Sequence, residues 1–86
     1  MKKEDIKLYS WVVRGSQRNA IIKALDKAKT PKQLSQETKI KFSNVSDVLS
    51  AMKEKNIVIC LNPEEKTGRL YNLSKKGIAI RRSLLP

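Results

Sequence analysis

No histidine occurs among the 86 residues, and cysteine occurs once, at Cys60. The usual His/Cys zinc site therefore lacks its donors within one chain, imidazole catalysis is excluded, and no internal disulfide can form. Neither a metal nor another cofactor is expected. Aromatic residues make up only 5% of the chain, so its core must be mostly aliphatic. Three glycines and three prolines are too few for a linker or a low-complexity tract and act as local punctuation. Apolar runs such as Ile57–Leu61 are far shorter than the about 20 residues of a membrane span, and no signal-peptide core is present. A cytoplasmic protein without a membrane partner is expected.

Acidic residues are also scarce. Eight Asp and Glu face 19 Lys and Arg, a formal net charge of +11 and a sequence pI near 10.1. That imbalance attracts polyanions, nucleic acid first and anionic membranes or acidic proteins next. The charge is unevenly placed: residues 1–40 carry a net +6, residues 41–73 only +1, and residues 74–86 +4.

The length suits one small domain, expected over residues 1–86. Residues 2–13 are apolar-rich, with Tyr9 and Trp11 as packing anchors, and predict a short helix. Gly15-Ser16 predicts a second helix, capped by Ser16 and running to about Lys27, with Ile21, Ala24, Leu25 and Ala28 on one face. Thr30-Pro31-Lys32-Gln33 spells a capping box with proline at the first helical position. A further helix carries the stripe Val45, Val48, Leu49, Met52 and stops near Asn56, a residue suited to the left-handed conformation.

Beyond it the period changes. Ile57–Leu61 and Arg69–Leu73 predict two strands joined by the turn Asn62–Gly68, with Cys60 as a small buried hydrophobe. Ser74 then caps a last helix reaching about Ser83. Two short helices followed at once by a hairpin form a winged helix-turn-helix, an α+β, mainly α architecture. The helix-turn-helix is expected over about 31–56, the wing over about 57–73 and the C-terminal helix over about 74–83.

The stretch Leu34–Val58 resembles, without a gap, the helix-turn-helix of winged-helix regulators of the multiple-antibiotic-resistance and arsenical-resistance types, with apolar residues at Leu34, Ile40, Val45, Val48, Met52 and Ile57. Cys60–Gly77 is similar to small archaeal winged-helix transcriptional regulators, with their wing and their Leu-Ser-x-x-Gly entry to the last helix. The resemblance implies a non-enzymatic, sequence-specific regulator bound to double-stranded DNA and a homodimer formed through the first and last helices. It also implies that Lys32 and Arg69 face the DNA backbone. Two positions depart from the family pattern. Lys39 stands where glycine is common, and Asp47 where arginine is frequent.

Projected at 100° per residue, the helix after Lys41 turns Ser43, Asp47, Ser50 and Glu54 away from its apolar stripe. Candidates for base contact are Lys41, Ser43, Asn44, Ser46 and Asp47; asparagine suits adenine, and aspartate accepts from cytosine N4. The same residue types also suit a solvated helix face. Phe42 falls near the stripe and is expected at the core edge, with a thymine-methyl contact as the alternative. Candidates for phosphate contact are Arg14, Arg18, Lys32, Lys66 and Arg69, each also compatible with solvated surface charge. The alternative function is a winged-helix protein-interaction module docking a partner on Asp47 and Glu54.

Overall fold

The backbone of a computed structural model, which describes residues 2–86, runs through α1 (Lys3–Arg14), α2 (Ser16–Ala24), α3 (Pro31–Thr38), α4 (Phe42–Glu54), β1 (Val58–Cys60), β2 (Tyr71–Leu73) and α5 (Lys75–Leu84). The helix-turn-helix and wing arise in the expected order. Met1, part of the expected domain 1–86, lies outside the described residues.

One aliphatic core joins all the elements. Val12 of α1, Ile21 and Ile22 of α2, Leu34 of α3, and Val45, Leu49 and Met52 of α4 are buried together with Leu25, Ile57, Val58, Tyr71, Leu73 and Ile80. Tyr9 and Trp11 pack against its margin, as expected of anchors. No helix of the described residues is long and apolar enough to cross a membrane.

The second helix differs from expectation at both ends. Ser16 does not cap it: Gly15 is the N-cap, makes no side-chain cap bond, and also closes α1 by donating its N–H to the Val12 carbonyl (3.1 Å). With a single residue between the two helices, Ser16 already lies inside α2, where its hydroxyl cannot cap. The helix stops at Ala24 rather than Lys27 because Leu25 turns into the core at φ −84°, ψ 60°.

The chain released at Leu25 has another use. Lys29 pairs with Tyr71 as an isolated antiparallel bridge, its N–H donating to the Tyr71 carbonyl (3.0 Å) and its carbonyl accepting from the Tyr71 N–H (2.9 Å). Strand β2 thus has a backbone partner on each side. The Lys29 side chain is buried, and its ammonium donates to the Ala24 carbonyl (2.6 Å) and pairs with Asp26 (2.9 Å) and Glu37 (2.8 Å). The hydrogen bond to Glu37 raises the Lys29 pKa above its ordinary 10.5 against the opposing cost of burial; the bond from Lys29 lowers that of Asp26.

The wing pairs Val58 with Leu73, Ile59 with Asn72 and Cys60 with Tyr71. Its strands are shorter than the expected 57–61 and 69–73, because a side chain finishes the ladder: Asn62 Oδ1 accepts from the Leu70 N–H (2.7 Å), beside Leu61 N–H to the Leu70 carbonyl (2.8 Å). Cys60 is half-buried rather than buried, with Sγ 3.8 Å from Asn62 Oδ1. The thiol sits where the ladder ends.

Ser74 caps α5 as expected, accepting from the Gly77 N–H (3.1 Å) while its hydroxyl contacts the carbonyls of Asn56 (2.6 Å) and Ile57 (3.0 Å). Asn56 takes the left-handed stop at φ 60°. The Leu-Ser-x-x-Gly pattern then has a steric reason: a Cβ on Gly77 would run into the Ile57 carbonyl oxygen and crowd Leu73.

Two outcomes follow for stability. Gly77→Ala should cost about 1–3 kcal/mol through overpacking against backbone, read as a lower urea midpoint; an unchanged midpoint would show that α5 is not held this closely. Lys29→Met should cost about 2 kcal/mol, since its half-exposed acid partners recover water while the tie between elements is lost. A raised lysine pKa stabilises fully below 10.5 and loses that contribution as pH climbs through the folded value. Urea midpoints should therefore fall in strongly alkaline solution for the wild type and less so for Lys29→Met; parallel pH profiles would rule the tie out.

Candidate nucleic-acid interface

The helix-turn-helix is built from local bonds. Thr30 Oγ1 accepts from the Gln33 N–H (3.1 Å) and Gln33 Oε1 accepts from the Thr30 N–H (2.9 Å), closing the capping box that starts α3. At the other end Lys39 takes φ 64°, ψ 16°, the left-handed conformation in which a lysine is strained by about 1 kcal/mol relative to glycine. The turn is braced around it. Ser35 Oγ donates to the Ile40 carbonyl (2.6 Å), Thr38 Oγ1 donates to the Leu34 carbonyl (2.6 Å), and the Ile40 N–H reaches Thr38 Oγ1 (3.3 Å).

This turn presents α4 with Val45, Leu49 and Met52 inward. Lys41, Ser43, Asp47, Ser50 and Glu54 are exposed, and Asn44 and Ser46 are half-buried on its flanks. Lys41 stands at the N-cap without a side-chain cap bond, so the first backbone N–H groups of α4 face outward uncapped by it. Phe42 departs from the expected core-edge position: it is 53% exposed, since Val45 and Leu49 already fill the space beneath the helix.

A cleft flanks α4 on each side. On the wing side a groove of about 700 Å³ is lined by Thr30, Pro31 and Lys32 from the start of α3, by Phe42, Ser46, Leu49 and Ser50 from α4, and by Lys66–Arg69 and Tyr71 from the wing. On the opposite side a shallower cleft of about 490 Å³ is lined by Trp11, Arg14, Gly15–Arg18, Asp47, Val48 and Ala51. The five candidate phosphate contacts divide between them, three and two. Lys41, Ser43 and Asn44 line neither and sit at the N-terminal end of α4.

The basic side chains are not equally free. Arg18 lies with its guanidinium 4.2 Å from the Trp11 ring centroid, and Lys55 approaches the same ring at 4.9 Å. Gly15 leaves room for this, because a Cβ there would strike the Arg18 guanidinium. Arg69 Nε donates to the Glu65 carbonyl (2.7 Å), and Arg14 Nε to the Ser10 carbonyl (3.3 Å). Lys32 and Lys66 are exposed. Among the described residues every ion pair involves Lys29, so Asp47 and Glu54 are unpaired. No group of three or more His, Cys, Asp or Glu among the described residues is placed to hold a metal ion.

Lys29 and Lys55 escaped sequence reasoning. The acids at Asp26, three residues before Lys29, and at Glu37, one helix later, were a signal for the first; nothing in the pattern marks Lys55 as a partner of Trp11.

No protein-family model matches the chain, and no curated protein sequence matches it. Solved structures do. A MarR family transcription regulator superposes with a TM-score of 0.73 at 21% identity, over 92% of this chain and 56% of its own. HlyU from Vibrio cholerae N16961 gives 0.68 at 19% identity, over 98% and 90% respectively. A mutant MarR from E. coli complexed with operator DNA gives 0.65 at 24% identity, over 95% and 63%. The fold is that of the MarR-like winged-helix regulators. In this MarR-like arrangement α3 and α4 are the helix-turn-helix and β1–β2 the wing, so the larger groove lies between the second helix of the motif and its wing. The chain spans 56% and 63% of the two MarR proteins compared.

Proposed function

We propose that this chain is a sequence-specific double-stranded DNA-binding transcriptional regulator with no catalytic role, acting in the cytoplasm as one winged helix-turn-helix unit over residues 1–86. The observation that carries this reading is the division of labour around α4. Its outward face is polar and nearly neutral, whereas cations line the clefts on both sides. Backbone contacts position a protein on a duplex and base-edge contacts specify the sequence. Lys41, Ser43, Asn44, Ser46 and Asp47 would enter the major groove, and Lys32, Lys66 and Arg69 on one side with Arg14 and Arg18 on the other would meet phosphates. The likeness in fold to a MarR protein complexed with operator DNA supports the assignment.

The chain would act as a homodimer. Ile6 and Val13 on α1 and Ile78 and Leu85 at α5 are exposed apolar side chains on two elements that pack together, as an isologous contact requires. A second reading is favoured by the unpaired acids: Asp47 and Glu54 would dock a basic partner protein on the outer face of α4.

Fluorescence anisotropy with random-sequence duplexes should show binding that weakens steeply as salt rises, by about tenfold or more between 50 and 200 mM. Loss of any preference for duplex over other polyanions would overturn the DNA reading. Asp47→Arg should raise general duplex affinity; if it leaves duplex binding unchanged, that face has no role in DNA contact. Sedimentation velocity should give a dimer, and a monomer at high protein concentration would contradict the proposed dimer surface.

A further inference from the structure

Phe42 is the single phenylalanine of the chain and, at 53% exposure, the most exposed of the large hydrophobic side chains among the described residues. It is the first residue of α4, and the helix buries Val45, Leu49 and Met52 without it. The half of this side chain that stays in water forfeits the apolar burial that would stabilise it elsewhere, and Phe42 is not part of the core cluster. Its surroundings are informative. The ring lines the wing-side groove in one stripe with Ser46, Leu49 and Ser50, and the same groove holds Lys32, Lys66 and Arg69. A ring surrounded by cations and hydroxyls fits an anionic partner that offers a small apolar group among polar ones.

Duplex DNA offers such a group in the major groove. Thymine displays its 5-methyl there, while the other bases present hydrogen-bonding edges. The remaining outward residues near the start of α4, Lys41, Ser43, Asn44, Ser46 and Asp47, all end in hydrogen-bonding or charged groups, and only the flexible stem of Lys41 adds apolar atoms. We infer that Phe42 reads thymine through its 5-methyl group, on the wing-facing side of the recognition helix. This rests on the DNA-binding reading above and extends it to a base.

The test is a selection of bound sequences from a random duplex pool, followed by replacement of each recovered thymine with uracil, which removes only the methyl. One such replacement should weaken wild-type binding about fourfold, the effect of losing one buried methyl. It should leave Phe42→Ala unaffected and Phe42→Leu partly affected, with circular dichroism confirming that both variants fold. Uracil replacements that act equally on the wild type and Phe42→Ala, or recovered sites without an invariant thymine, would overturn the assignment while leaving DNA binding intact. Failure to recover any duplex would overturn both.

Discussion

The ammonium of Lys29, held out of water between the carboxylates of Asp26 and Glu37 and the carbonyl of Ala24, is the tie on which the geometry of the interface depends. Its main chain is bridged to Tyr71 of the wing, and its side chain reaches the end of α2 and the body of α3. Desolvation offsets much of the attraction of such a buried charge, which leaves a net contribution of only about 2 kcal/mol. Its value lies in geometry. Together these partners tie α3 to β2, the first carrying Lys32 and the second adjoining Lys66 and Arg69 on the opposite wall of the groove.

A second constraint acts from the opposite end. The Ile57 carbonyl accepts from the Ser74 N–H (2.9 Å), meets the Ser74 hydroxyl, and leaves no room for a Cβ at Gly77. Helix α5 is thereby pressed against the base of the wing, and α4 is joined to β1 through the left-handed Asn56. Between these two clamps α4 has little freedom to roll. The proposed reading of bases by short, weakly charged side chains needs that rigidity, because each hydrogen bond to a base edge tolerates little displacement. Electrostatics follow the same layout. Lys29 neutralises Asp26 and Glu37, and the flanking lysines and arginines, free of ion pairs among the described residues, keep their charge for long-range attraction.

Local chemistry made much of the fold readable in the sequence. The capping box at Thr30 and Gln33, the left-handed stop at Asn56 and the Ser74 cap each depend on neighbours within a few residues, and each stands where the pattern put it. Local pattern misleads where distant partners decide. Ser16 looks like a cap until α1 is seen to end so close before it, and α2 stops short because Leu25 turns into the core and the chain after it is recruited to Tyr71. Phe42 shows the same limit at the interface: helical projection puts it near the apolar stripe, but Val45 and Leu49 occupy that space. Which cations share a cleft was equally hidden, since Lys32, Lys66 and Arg69 meet only after the wing folds back toward α3.

If α4 and its two flanking clefts form a single DNA-facing surface, a duplex must touch all three at once. Titrating the isotope-labelled protein with a duplex while following amide and side-chain NMR signals tests this directly. Perturbations are predicted to concentrate at Lys32, Lys41–Ser50 and Lys66–Arg69, with the Trp11 indole responding as Arg18 engages phosphate. Shifts confined instead to Ile59, Leu61 and Ile78, or no shifts at low salt, would contradict it.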